Sequence, residues 1–171
     1  MVQYATVTDQ ARSSVHRGPR GRGSPPVAFL LAQVGAHAAN RFAERLTTLD
    51  LAPSHAGVLR IIAAATGLSQ RALGEQLGIF PSRLVTLLDE LASRGLVERR
   101  DDPDDRRSYA LYLTEKGREA LAAIGRIGRE HSDELLAALS DAERAQLGNL
   151  LQRIADDQGL KPGVHPGFRK L

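Results

Sequence analysis

Residues 101–117 read DDPDDRRSYALYLTEKG, and they follow directly on a predicted helix-turn-helix. Two strand-like runs, Leu96–Arg100 and Ser108–Leu113, flank a turn built almost wholly of Asp, Pro and Arg. Asp and Pro stop strands and start turns. Ser108–Leu113 alternates, with Tyr109, Leu111 and Leu113 on one face and Ser108, Ala110 and Tyr112 on the other, as a half-buried strand would. A hairpin with Arg106 and Arg107 at its tip, attached to a helix-turn-helix, is a wing. Wings lie against the DNA backbone and can place an Arg in the minor groove. Asp101, Asp102, Asp104 and Asp105 stand beside the two arginines, so two readings remain open. The tip is either a solvated turn that neutralises itself, or a loop in which an Asp buttresses one Arg while the other meets the duplex.

Upstream of the hairpin, Ser69 is placed to cap a short helix over Gln70–Leu77, and Gly78 stands where that helix should stop. Pro81 suits the first turn of a second helix that ends at Gly95. Its apolar stripe is Leu84, Leu87, Leu88 and Leu91, which leaves Ser82, Arg83, Thr86 and one of Asp89 or Glu90 outward. A short capped helix, a Gly-containing turn and a second amphipathic helix give the geometry that enters a major groove. The candidate DNA-contacting residues are therefore Ser69, Gln70, Ser82, Arg83, Thr86, Arg106 and Arg107. Arg83 can bond a guanine bidentately, and the hydroxyls can bond bases or phosphates. Any helical pair joined at a Gly looks like this in isolation; the adjoining hairpin is what favours DNA.

The rest of the chain is predicted to be helical. Val27–Thr48 carries a stripe of Leu31, Val34, Ala38, Phe42, Leu46 and Leu49. A helix from Pro53 or Ser54 to about Ala65 is apolar over much of its circumference and is expected to be central. Thr114 caps a long helix to about Leu139, and Ser140–Glu143 is a capping box opening a last helix with Leu147, Leu150, Leu151 and Ile154 inside. Gly117, Gly125 and Gly128 interrupt the long helix, either to permit close helix approach across a dimer or as flaws tolerated by packing. The expected class is mainly α with a small β wing: a winged helix-turn-helix plus a helical dimerisation layer. Residues 1–26 are expected to form a disordered basic arm, 27–158 the domain, and 159–171 a flexible tail.

Bulk properties narrow the function mainly by exclusion. No apolar run is long enough to span a membrane, and the first 26 residues lack the apolar stretch of a secretory signal, so a cytoplasmic location is expected. There is no Cys, which removes disulfides, thiolate metal sites and thiol redox switches. The net charge of +3 arises from the ends. Residues 1–26 and 159–171 each carry +3, leaving the middle at −3. A DNA-binding surface on this chain must therefore be basic locally. No nucleophile elbow, phosphate loop or zinc-protease motif is present, so no enzyme activity, catalytic residue, metal or cofactor is expected.

The chain resembles the MarR family of winged-helix transcription regulators. The family's wing signature, D-x-R, five residues, then L-T-x-x-G, is matched by Asp105, Arg107, Leu113, Thr114 and Gly117. Upstream, LSQRALGEQLGIFPSRLVTLLDELASRGLVERR resembles the family's helix-turn-helix throughout, and the similarity covers roughly residues 27–157. The resemblance implies that Asp105 is the wing buttress. It also implies a homodimer, built from the first and last two helices, that binds double-stranded DNA at a pseudo-palindromic operator. Repression would be relieved by a small aromatic or anionic ligand held between the dimerisation layer and the winged helix. His37, Arg41 and His55, with His131, lie on or near the helices concerned; each is either a ligand contact or a structural group. Two departures stand out. Phe80 precedes Pro81 where the family usually has a Ser or Asp cap, and Thr86 stands where an outward Arg or Lys is common. Together with the acidic middle, the second departure favours the alternative, a winged helix serving as a protein-interaction module without sequence-specific DNA binding.

Overall fold

The helices begin and end where caps and glycines dictate. The computed structural model describes residues 25–101 and 109–164. α1 (Val27–Leu46) starts after Pro25 and Pro26 and runs into a 3-10 turn, Thr47–Leu49, that closes at Asp50 with φ +54°. α2 (Pro53–Ala64) follows, then a two-residue strand β1 (Leu68–Ser69) and α3 (Gln70–Leu77). The Ser69 hydroxyl accepts from the Ala72 N–H at 3.2 Å, and Gly78 ends α3 at φ +66°, a conformation any Cβ would strain. α4 (Pro81–Ser93) leads to β2 (Val97–Asp101), β3 (Tyr109–Leu113), α5 (Glu115–Leu135) and α6 (Asp141–Asp157).

The three strands form one antiparallel sheet in the order β1-β3-β2, with Leu68 opposite Leu111, Val97 opposite Leu113, and Asp101 opposite Tyr109. β1 is too short to show a period, so the sequence reads Leu68–Ser69 only as the entry to α3. Burial along β3 does not follow that alternation strictly. Tyr109 is 52% exposed, while Ala110 is buried beside Leu111. The helices α2, α3 and α5 all pack against β3, and burial fades towards the outer end where Tyr109 sits.

α2 is central, as expected: Val58, Leu59 and Ile62 are buried against Leu73, Leu77, Leu84, Leu88 and Leu91 of α3 and α4 and Leu111 of β3. Burial of each large aliphatic side chain stabilises the fold by roughly 1.5–3 kcal/mol. α5 ends at Leu135 rather than near Leu139; a turn intervenes before the Ser140 cap, and the apolar residues across it mask the break in the sequence. Ser140 and Glu143 form the expected capping box.

Two contacts fix the hairpin and the tail. Gly117 in the first turn of α5 lies so close to β2's entry that a Cβ there would sit 2.0 Å from the Leu96 carbonyl oxygen. Thr114 reinforces that joint: its hydroxyl donates to Gly95 O at 2.6 Å and accepts from Gly117 N–H at 3.0 Å. Of the two readings for the α5 glycines, close approach holds for Gly117, but within the chain rather than across a dimer. Around Gly128 there is open space. After α6, residues 160–164, expected as part of a flexible tail, turn back onto the domain. Lys161 Nζ donates to the carbonyls of Glu75 (3.0 Å) and Gln76 (3.5 Å) at the C-terminal end of α3, and Val164 packs on the core. The end of a helix attracts a cation because its last carbonyls lack partners.

Candidate nucleic-acid interface

Helix periodicity orders the side chains of α4. Leu84, Leu87, Leu88 and Leu91 are buried, which puts Ser82, Thr86 and Asp89 on the opposite pole, all exposed. Arg83 lies on the flank and is half-buried; its Nε is out of solvent and has no hydrogen-bond partner among the described residues. The Thr86 hydroxyl donates back to Ser82 O at 3.2 Å, so this residue presents its methyl group outward. Phe80, the residue before the helix, makes no side-chain cap bond and is 78% exposed. Of the α3 residues, Ser69 is occupied as the cap, and Gln70 sits beside it, half-buried, at the first position of the helix.

Both acids of α4 are held by cations or donors from outside the helix. Arg99 of β2 donates to Asp89 at 2.7 Å. His55 Nε2 lies 2.8 Å from a Glu90 carboxylate oxygen, while the Ala52 N–H donates to His55 Nδ1 at 3.1 Å. The bond accepted at Nδ1 leaves the proton on Nε2, pointing at Glu90. His55 thus ties the start of α2 to the far end of α4. Pairs of this kind contribute only ~0–1 kcal/mol each, but they offset the negative charge of two carboxylates on α4. Arg106, Arg107 and Asp105 fall outside the described residues.

The proteins this chain is similar to read the same way. A family model described as the MarR family matches residues 49–108. A putative transcriptional regulatory protein for the hcr operon of Thauera aromatica is 38% identical over 67% of this chain and 69% of its own length. The transcriptional regulator HosA of Escherichia coli O111:H- is 34% identical over 61% of this chain and 78% of its own. The chain belongs to the MarR family. The structure agrees with that of the transcriptional repressor CouR bound to a 23-mer DNA duplex, with a TM-score of 0.69, 31% identity, and coverage of 81% of this chain and 99% of that one. A mutant MarR from E. coli complexed with operator DNA gives a TM-score of 0.65 at 28% identity, covering 76% and 94%.

This MarR-family chain has a second concavity on another face. A cleft of about 910 Å³ lies between the end of α2, the β2–β3 hairpin and α5. Ile62, Leu113 and Leu121 form its apolar floor, Tyr112 one wall, and Arg100, Arg118, Arg126 and Arg129 its rim. The Arg100 guanidinium stacks 4.4 Å from the centre of the Tyr112 ring and also pairs with Glu98. Arg118 pairs with Glu115 at 2.6 Å and donates to Leu113 O at 3.0 Å. For Arg126 and Arg129 there is no ion-pair partner among the described residues. The ligand candidates named from sequence lie elsewhere. His37 is exposed on α1, Arg41 pairs with Glu44 at 3.0 Å, His55 is engaged as above, and the His131 ring contacts that of Phe42. The arginines that line the cleft left a signal in the sequence: Arg118, Arg126 and Arg129 are spaced to share one helical face. Among the described residues no three His, Asp or Glu cluster as metal ligands, and no helix is long and apolar enough to cross a membrane.

Proposed function

We propose that this chain is a homodimeric, DNA-binding transcription regulator that represses from a pseudo-palindromic operator. The observation that carries this reading is the exposed pole of α4 beside an antiparallel hairpin whose sequence puts Arg106 and Arg107 at the tip. Ser82, Arg83 and Thr86 would enter the major groove, Ser69 and Gln70 would approach the backbone, and Arg107, ordered by Asp105, would meet the flanking minor groove. That two structural neighbours were solved with DNA supports the DNA-binding reading.

The dimer is supported by surface that one copy leaves uncovered. α6 has no buried residue, and Leu150, Leu151 and Ile154 are 40–47% exposed, as are Phe29, Leu30, Leu31 and Val34 of α1 at 39–57%. An exposed apolar surface of that extent marks an interface. The cleft beside α5 suits a small aromatic carboxylate: an apolar slot for the ring, and guanidiniums for the anion. Occupation would bridge α5 to the hairpin and change the spacing of the two reading heads.

Footprinting on the chain's own upstream region, repeated over a salt series, tests the DNA reading. Binding through phosphates weakens steeply with salt, whereas a protein-interaction module would give no protected duplex at any salt. Operator release on adding benzoate-type anions, lost in Arg126→Ala with Arg129→Ala, tests the cleft.

A further inference from the structure

Phe80 is the most exposed large apolar side chain among the described residues, at 78%. It does nothing evident for the fold. It gives no cap bond, and only its backbone carbonyl serves α4, accepting from the Arg83 and Leu84 N–H groups at 3.1 Å. It belongs to neither α1 nor α6, whose exposed apolar residues are the ones assigned to a dimer. Instead it precedes the first turn of α4, next to the exposed Ser82. The pole of that helix is poor in donors: the Thr86 hydroxyl is spent on Ser82 O, and Asp89 is tied to Arg99. No Arg or Lys stands on the pole itself; Arg83, on the flank, is the cation this helix has for a guanine. What the start of α4 does present is the Phe80 ring, with the exposed Val85 and then Thr86 about one and a half turns further along. In the major groove the feature that matches an apolar side chain is the C5-methyl group of thymine.

We infer that Phe80 selects thymine at a defined position of each operator half-site through its methyl group, with the Thr86 methyl as a second, weaker contact. The inference rests on the DNA-binding reading above and adds what α4 recognises. Thymine is recognised here through shape and apolar contact, so Phe80 adds a preference for A·T at the position it meets, beside the base that Arg83 would bond.

The test starts from the duplex preferred by the full chain in selection from random sequence. Thymines in that duplex are replaced one at a time by deoxyuridine, which removes the methyl group and leaves base pairing intact. The expected result is one thymine in each half-site whose replacement weakens binding about four-fold, the equivalent of one buried methyl group. Phe80→Ser should bind the unmodified duplex correspondingly less well, lose the sensitivity at that thymine, and keep the salt slope. Because Phe80 is exposed, the variant should melt as the parent does, and a circular dichroism melt checks this. Indifference of the parent to every replacement, or full sensitivity retained in Phe80→Ser, overturns the inference while DNA binding stands. Absence of salt-dependent binding to any duplex overturns the DNA reading and this inference with it.

Discussion

At Gly117 a hydrogen is all the structure admits. A methyl group there would meet the Leu96 carbonyl at 2.0 Å, a backbone atom that cannot swing aside as a flexible side chain could. Gly117→Ala should therefore destabilise the domain by about 1–3 kcal/mol, as overpacked sites do, read as a lower denaturant midpoint. Gly128 is the control in the same helix: a Cβ there would have nothing within 4 Å, so Gly128→Ala should stabilise by up to ~1 kcal/mol. Arg83 makes a different prediction. Replacement by Ala should cost ~1–3 kcal/mol of binding and relax preference at one operator position. An unchanged sequence preference in the variant would reduce Arg83 to a phosphate contact. The residues whose roles sequence reading recovers are those that act on near neighbours: the Ser69 cap, the Gly78 stop, the Ser140–Glu143 box. The Asp89–Arg99 and Glu90–His55 pairs escape it, because residues 10 and 35 apart meet only once the helices have packed.

Among the elements, the helices were legible because a stripe of Leu and Ile repeats long enough to define a period. The sheet was less so. Two residues of β1 and five of β3 are too few to fix a face, and the packing of α2, α3 and α5 on β3 overrides alternation. The cleft was hidden for a further reason: its arginines come from β2 and α5, whose adjacency depends on the hairpin folding back over α2. For the wing, the proposed place of Arg107 at the groove makes a prediction. Arg107→Ala should weaken binding to all duplexes about equally and lower the salt slope by ~1. Asp105→Ala decides whether that carboxylate orders the loop: weaker binding identifies a buttress, tighter binding a mere solvated charge. The opening of α6 has a pH dependence of known sign. The Ser140 hydroxyl and its backbone N–H hold the Glu143 carboxyl below the usual carboxylate range. A depressed folded value means the support is present above the unfolded carboxylate range and is lost as pH falls through the folded one. Glu143→Gln should remove that acid-side change from the titration of α6 helicity.

For the whole molecule, the question is what covers α1 and α6. Leu150→Glu with Ile154→Glu should convert a dimer to monomer or unfold it, and sedimentation of the parent at micromolar concentration should show two copies. A well-folded parent monomer would remove the basis for a two-headed reading of DNA. Because the chain has no Cys, its release from DNA should also be indifferent to peroxide and thiol oxidants at concentrations that spare Met1 and the duplex.

The joint at Gly117 has a mechanical consequence. Steric contact with Leu96, the two Thr114 bonds and the Lys116 bond to Arg94 O at 2.9 Å leave no hinge between hairpin and helix. α5 then behaves as a stiff arm: its 21 residues span about 30 Å at the rise of an α-helix. A tilt of about five degrees about the end near α6 sweeps the hairpin through roughly 2.5 Å, about the difference between a hydrogen-bonded phosphate and one out of reach. Small adjustments where the arm is mounted are thus magnified at the tip, and any flexibility introduced at residue 117 would absorb the stroke before it arrived.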